Sequence, residues 1–188
     1  LEVVRELVSR DKRVFLDIKL HDIPNTVARA VEAASDLGVD LLTLHASGGP
    51  RMMEAAAEAR SGHLKLLGVT VLTSMTTDEM ASVWGRKISL VRDEVFRLAN
   101  LGKEAGLDGI VSSALEASWI RQKLGPSFLI VTPGIRPAGS NSDDQNRVAT
   151  PKEAVRSGAD FLVIGRPITQ ADDPSAAFAA VLKEVEEA

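Results

Sequence analysis

Three charged residues stand at the end of one apolar run. The stretch "FLDIKLHDIPNT", residues 15–26, carries Asp17, Lys19 and Asp22 just ahead of Pro24. Side chains alternate along a strand. One face of this run reads Val14, Leu16, Ile18 and Leu20; the other reads Phe15, Asp17, Lys19 and His21. The first face is expected to meet helices. The second is expected to point inward, with Asp17 and Lys19 side by side roughly 6–7 Å apart along the strand. A surface salt pair on an edge strand is the competing explanation. The apolar flanks argue against it, because a parallel strand is covered on both faces and a buried charge needs a partner. A lysine beside carboxylates stays protonated. That counts against Schiff-base chemistry, which needs a depressed lysine pKa. It suits a proton donor, or an electrostatic anchor for a developing carbanion. Asp17 would hold the ammonium and face the substrate with negative charge. If the substrate carries a carboxylate, loss of CO₂ relieves the repulsion.

A second constellation lies near the C-terminal end. "VTPGIRPAGSNSDDQNR" (131–147) and "VIGRPI" (163–168) each place an arginine shortly after a strand-like run. Arg136 and Arg166 offer fork-shaped donors suited to phosphate oxygens. Gly134 and Gly165 let backbone approach a ligand. The alternative is two loop arginines solvated independently. "HASGGP" (45–50) is read as a plain turn before a helix at Pro50 rather than an anion nest, and His45 as structural.

These residues need elements to hold them. Strand-like runs at 14–19, 40–44, 64–72, 109–113, 128–132 and 161–165 alternate with helical stretches. Val27, Ala30, Val31 and Ala34 make one helical stripe; Ala177, Phe178, Val181, Leu182 and Val185 make another. Thr150-Pro151-Lys152-Glu153 and Ser113-Ala114-Leu115-Glu116 both read as capping boxes. "AGLDG" and "SGAD" read as glycine-capped helix exits. Repeated βα units mean a parallel sheet covered by helices. Polar residues gather after nearly every strand: Lys19 and Asp22, His45, Thr73 and Ser74, Ser112 and Ser113, Arg136, Arg166. That distribution favours a TIM (β/α)8 barrel over an open doubly wound sheet, since a barrel builds its site from several strand ends. Six strands led by a helix imply that the barrel's first two strands lie upstream of Leu1.

The bulk numbers agree with an ordinary globular chain. There are 188 residues, 45% hydrophobic and 26% charged, with no cysteine and a formal charge of −4. One domain is expected over residues 1–188, lacking its N-terminal part. The mild negative charge offers nucleic acid or an anionic membrane no attraction. No apolar run approaches a membrane span of about 18 residues. Disulfides and Cys-ligated metals are excluded. A cytoplasmic location fits.

"LDIKLHDIPNT", "VTVLTSM", "AGLDGIVSSALEA", "TPGIRPAGS…DDQNRVATPKEA" and "GADFLVIGRPIT" together resemble the bacterial orotidine 5′-phosphate decarboxylase family, in collinear order over nearly the whole chain. The resemblance implies a cofactor-free, metal-free TIM-barrel homodimer with shared active sites that converts orotidine 5′-monophosphate to UMP. It implies Lys19 as proton donor to the pyrimidine C6 and Asp17 beside the leaving carboxylate. Asp22, with Ile23 and Thr26 near it, is implied to serve the partner's site. Thr73 is implied as the pyrimidine-edge contact, with Ser74 the second choice; Arg136, Gln145, Arg166 and the amide of Gly165 are implied as the phosphate grip. The family's charged array also has an earlier Asp and Lys, expected upstream of Leu1. Residues 83–95 are less family-like than their surroundings, in the region where a closing loop is expected. Two other readings use the same residues: a related D-x-K-x-x-D sugar-phosphate decarboxylase or lyase employing Mg²⁺, and a catalytically silent nucleotide-binding relative.

Overall fold

The computed structural model describes residues 1–137 and 148–188. A leading helix α1 (Glu2–Ser9) precedes β1 (Phe15–Leu20) and α2 (Pro24–Asp36). Next come β2 (Leu41–His45), α3 (Pro50–Ala59), β3 (Lys65–Val69), α4 (Thr77–Trp84) and α5 (Val91–Glu104). The chain continues through β4 (Gly109–Val111), α6 (Ala114–Leu124), β5 (Leu129–Thr132), α7 (Pro151–Arg156), β6 (Phe161–Leu162), α8 (Arg166–Thr169) and α9 (Pro174–Glu186). The six strands form one sheet in sequence order, with β1–β2, β2–β3 and β5–β6 paired in parallel. This is the α/β alternation expected from the periodicity. Six strands are described, not the eight of a complete barrel.

Two compact units make up the chain. The first comprises residues 1–70 and 97–110; the second comprises 71–96 and 111–188. In the first, Leu42, Leu44, Leu66 and Leu67 are fully buried, as are Val31 of α2 and Met52 and Met53 of α3. Burying each such side chain stabilises by about 1.5–3 kcal/mol. In the second, Ala114, Ile135 and Ala154 form a small core, against which Ala149, Ala159, Leu162 and Ile164 pack.

Prolines open α2, α3, α7 and α9 at the first turn, where the missing N–H costs nothing. The Thr150/Glu153 capping box forms as expected, and a second forms at Thr76/Glu79. In both, the threonine's N–H and hydroxyl donate to the glutamate and hold its carboxyl below the ordinary range. The expected box at Ser113 does not form. Ser113 Oγ accepts from Leu115 N–H instead, while Glu116 is buried rather than folded back to the cap.

A sequence repeat appears at the strand entrances. Gly38-Val39-Asp40, Gly106-Leu107-Asp108 and Gly158-Ala159-Asp160 each leave a helix through a glycine of positive φ (+74°, +86° and +95°). Each aspartate then accepts a backbone N–H from the preceding strand or its first approach: Val14 at 2.7 Å, Leu66 at 2.9 Å and Ile130 at 2.7 Å. Each also faces a basic side chain: Arg13 for Asp40, Arg60 and Lys65 for Asp108, Arg121 for Asp160. The glycine turns the chain, and the aspartate ties the new strand to its neighbour. This end of the strands is built for stability.

Candidate active site

The Asp17–Lys19 pair forms, though not by the regular alternation expected. In the β1–β2 register Leu16 pairs with Leu42 and Leu20 with Leu44. Three residues of β1, Asp17 to Lys19, therefore stand opposite Thr43 alone. Such a bulge re-aims side chains. Lys19 sits at φ +49°. For a residue with a Cβ, the left-handed region costs about 1–2 kcal/mol. The distortion takes Ile18 out of the buried face assigned to it: it is 53% exposed, while Val14 is buried. β1 also pairs only with β2 among the described residues. The Asp17 and Lys19 side chains are each 40% exposed. Among the described residues the pair is therefore half-exposed.

The pair is nonetheless held tightly. Lys19 Nζ donates to Asp17 Oδ2 at 2.6 Å. Thr43, fully buried, donates its hydroxyl to Asp17 Oδ1 at 2.8 Å and accepts the Lys19 N–H at 3.0 Å. A carboxylate only accepts, so the direction of the threonine bond is fixed. An ordinary surface ion pair lacks such a buried anchor. The sequence reading missed Thr43, because nothing local marks a residue 24 positions beyond Lys19.

Asp22 is exposed and accepts the N–H of Ile23 at 2.7 Å; among the described residues, the ion pair of Lys19 is with Asp17. Ile23 is 66% exposed, and Thr26 lies exposed in the first turn of α2. His21, Asp22, Ile23, Pro24 and Gly48 line an open hollow of about 490 Å³. Gly48 ends a short 3₁₀ turn at Ala46–Gly48, the plain turn expected there; a Cβ at Gly48 would run into the Met52 thioether.

His45 does have a neighbour. Its ring lies 5.2 Å from that of His21, tilted by 40°. Burial lowers its pKa most; His21 and Lys19 lower it further, and Asp17 opposes them. A depressed folded pKa favours the neutral ring in the native state. Its contribution to stability is then full above the unfolded value of about 6.5 and is lost as the pH falls through the folded value. The melting temperature is expected to drop between pH 7 and pH 5, and less steeply in a His45→Gln variant. Thermal melts of both proteins across that range test this, and parallel slopes would refute it.

In the second unit, Thr73 occupies a turn beyond β3. Arg136 follows the last residue of β5 by four positions, as Arg166 follows that of β6. Arg136 is only 9% exposed; its backbone N–H donates to Ala149 O at 2.9 Å and its Nη1 to Ile135 O at 3.0 Å. It is thus seated in the fold, not a freely solvated loop arginine. Arg166 opens α8 and is exposed, with Gly165 before it; a Cβ on Gly165 would meet open space. Gln145 lies outside the described residues. Within 83–95, Arg86 is paired with the buried Glu94, and Ile88 is buried. No group of three His, Asp or Glu side chains that could hold a metal ion occurs among the described residues. No described helix is long and apolar enough to cross a membrane.

The model of the orotidine 5′-phosphate decarboxylase / HUMPS family matches residues 1–181. The chain belongs to that family. A curated relative from Vibrio cholerae serotype O1, named orotidine 5′-phosphate decarboxylase, is 53% identical over 98% of this chain and 79% of its own length. One of the same name from Vibrio vulnificus is also 53% identical, covering 96% of this chain and 78% of its own length. Among solved structures, orotidine 5′-phosphate decarboxylase from Lactobacillus acidophilus superimposes with a TM-score of 0.84 at 38% identity, covering 98% of this chain and 80% of that one. Family membership gives the Asp17–Lys19 pair a chemical context that its exposure alone would not.

Proposed function

We propose that this chain is a carboxy-lyase that converts orotidine 5′-monophosphate to UMP in pyrimidine biosynthesis. The observation that carries the reading is the Asp17–Lys19 pair, fixed by a buried threonine in a chain of this family. Heterolysis of the bond between C6 and the carboxylate releases CO₂ and leaves the electron pair on C6. The Lys19 ammonium stabilises that charge and then supplies the proton that quenches it. The neutral amine left behind recovers its proton from solvent. Asp17 holds the ammonium in place and puts negative charge beside the leaving carboxylate.

The remaining roles follow the family. Arg136, Gln145, Arg166 and the Gly165 amide take the phosphate, and Thr73 takes the pyrimidine edge. Asp22, with Ile23 and Thr26, serves the partner's site in a homodimer. The eight-stranded barrel as a single domain, the cytoplasmic location and the lack of any cofactor belong to the same reading.

The test follows the ultraviolet absorbance of orotidylate with the protein carrying this chain. Conversion to UMP is expected, undiminished in EDTA. Activity lost to EDTA and restored by Mg²⁺ would favour a metal-dependent sugar-phosphate type of chemistry. Tight UMP binding with no turnover would mark a silent relative.

A further inference from the structure

We propose that Thr43 is a positioning residue for the decarboxylation, holding both the Asp17 carboxylate and the Lys19 backbone where the chemistry needs them. The inference rests on the proposed function and adds a residue to it. Thr43 lies in β2 between Leu42 and Leu44, and all three are fully buried. A hydroxyl in that position is costly unless it is bonded. Its proton goes to Asp17 Oδ1, and its oxygen receives the Lys19 N–H.

The bulge explains why a side chain is needed there. Regular parallel pairing stops at Leu16–Leu42 and resumes at Leu20–Leu44. Across the gap the Thr43 side chain takes the N–H of Lys19 that the ladder leaves over. That bond anchors Lys19 at its positive φ. Were the backbone to relax to an extended conformation, the ammonium would swing away from its present direction. Asp17 is gripped at both oxygens, one by Thr43 and one by Lys19 Nζ. A single hydroxyl thus sets the base of the ammonium's stem and the orientation of its counter-ion. Thr43 is assigned no contact with substrate.

Misplacing reacting groups by about 1 Å can cost on the order of 10²-fold in rate. Thr43→Val keeps the shape and removes the hydroxyl. It is expected to lower kcat by roughly 30- to 100-fold while KM for orotidylate changes less than about threefold. Thr43→Ser keeps the hydroxyl and is expected to recover most of the rate. Thr43→Ser against Thr43→Ala differs by one oxygen atom and repeats the comparison if valine overfills the site. All variants are assayed well below their own melting temperatures, beside wild type and Lys19→Ala.

A valine variant with kcat within threefold of wild type overturns the proposal. So does a serine variant as impaired as the alanine one, or a loss carried mainly by KM. Wild-type protein that does not decarboxylate orotidylate removes the proposed function itself; a Lys19→Ala variant that keeps more than about 1% of wild-type turnover leaves that function standing but removes Lys19 from it, and the positioning role with it.

Discussion

Replacing Lys19 with alanine is expected to reduce orotidylate decarboxylation by at least about 10⁴-fold while leaving the protein folded. Two effects end together. General acid catalysis typically contributes about 10²–10⁴-fold, and preorganised electrostatic stabilisation about 10²–10³-fold. Stability is expected to change little. The Lys19 and Asp17 side chains are each 40% exposed, and exposed ion pairs contribute at most about 1 kcal/mol. Alanine also bears a Cβ, so the positive φ of the backbone is neither relieved nor worsened. Lys19→Arg separates the two roles. Its guanidinium keeps the charge but does not give up a proton at neutral pH. Arginine is therefore expected to restore little activity if protonation of C6 is required. The measurement is the loss of orotidylate absorbance, with circular dichroism confirming the fold. An alanine variant retaining more than about 1% of wild-type turnover would take Lys19 out of the mechanism.

The architecture was legible because its signals are local. Apolar runs of strand length alternate with helical stripes, and the six runs became six strands with ends shifted by a few residues. Prolines at helix starts and the Thr150/Glu153 pair work within one turn of chain, so short stretches suffice to read them. The same locality misled at Ser113. Ser-x-x-Glu matches a capping box, but burial of Glu116 took the glutamate elsewhere. The chemistry was legible in residue type and only partly in geometry. Asp17 and Lys19 do meet, but by way of a bulge, and the register of β1 against β2 cannot be read from β1 alone. Thr43 looked like one more β-branched strand residue, and His45 showed no companion until the fold brought His21 beside it. The three entrance aspartates were visible as letters after glycine, but their partners lie in other strands. What escaped the reading in each case is an interaction between residues distant in sequence.

Those aspartates make the other large effect, on stability rather than rate. Asp160→Ala is expected to cost about 2–4 kcal/mol, lowering the melting temperature by about 5–15 °C for a chain of this size. Asp160 Oδ2 accepts from Arg121 at 2.6 Å and from the Ile130 N–H at 2.7 Å. Arg121 also donates to the carbonyls of Gly125, Pro126, Phe128 and Gly158. One guanidinium thereby fastens the end of α6, the approach to β5 and the turn before β6, with Asp160 as its counter-charge. The pair is largely shielded: the Arg121 and Asp160 side chains are 21% and 31% exposed. Asp40 makes the corresponding backbone bond to Val14, but its ion-pair partner Arg13 is 73% exposed. Asp40→Ala is therefore expected to cost only about half as much, since exposed pairs contribute little. Asp160→Asn keeps one acceptor oxygen but loses the charge and turns the other oxygen into an N–H donor, so it should fall between wild type and alanine. Denaturant melts of the three variants test the ranking; equal losses for Asp40→Ala and Asp160→Ala would show that the shielded guanidinium adds nothing. Asp160 precedes β6, whereas Arg166 follows it. Turnover per folded molecule should accordingly stay within about twofold in Asp160→Ala, because the strand's entrance carries stability and its exit carries the proposed chemistry.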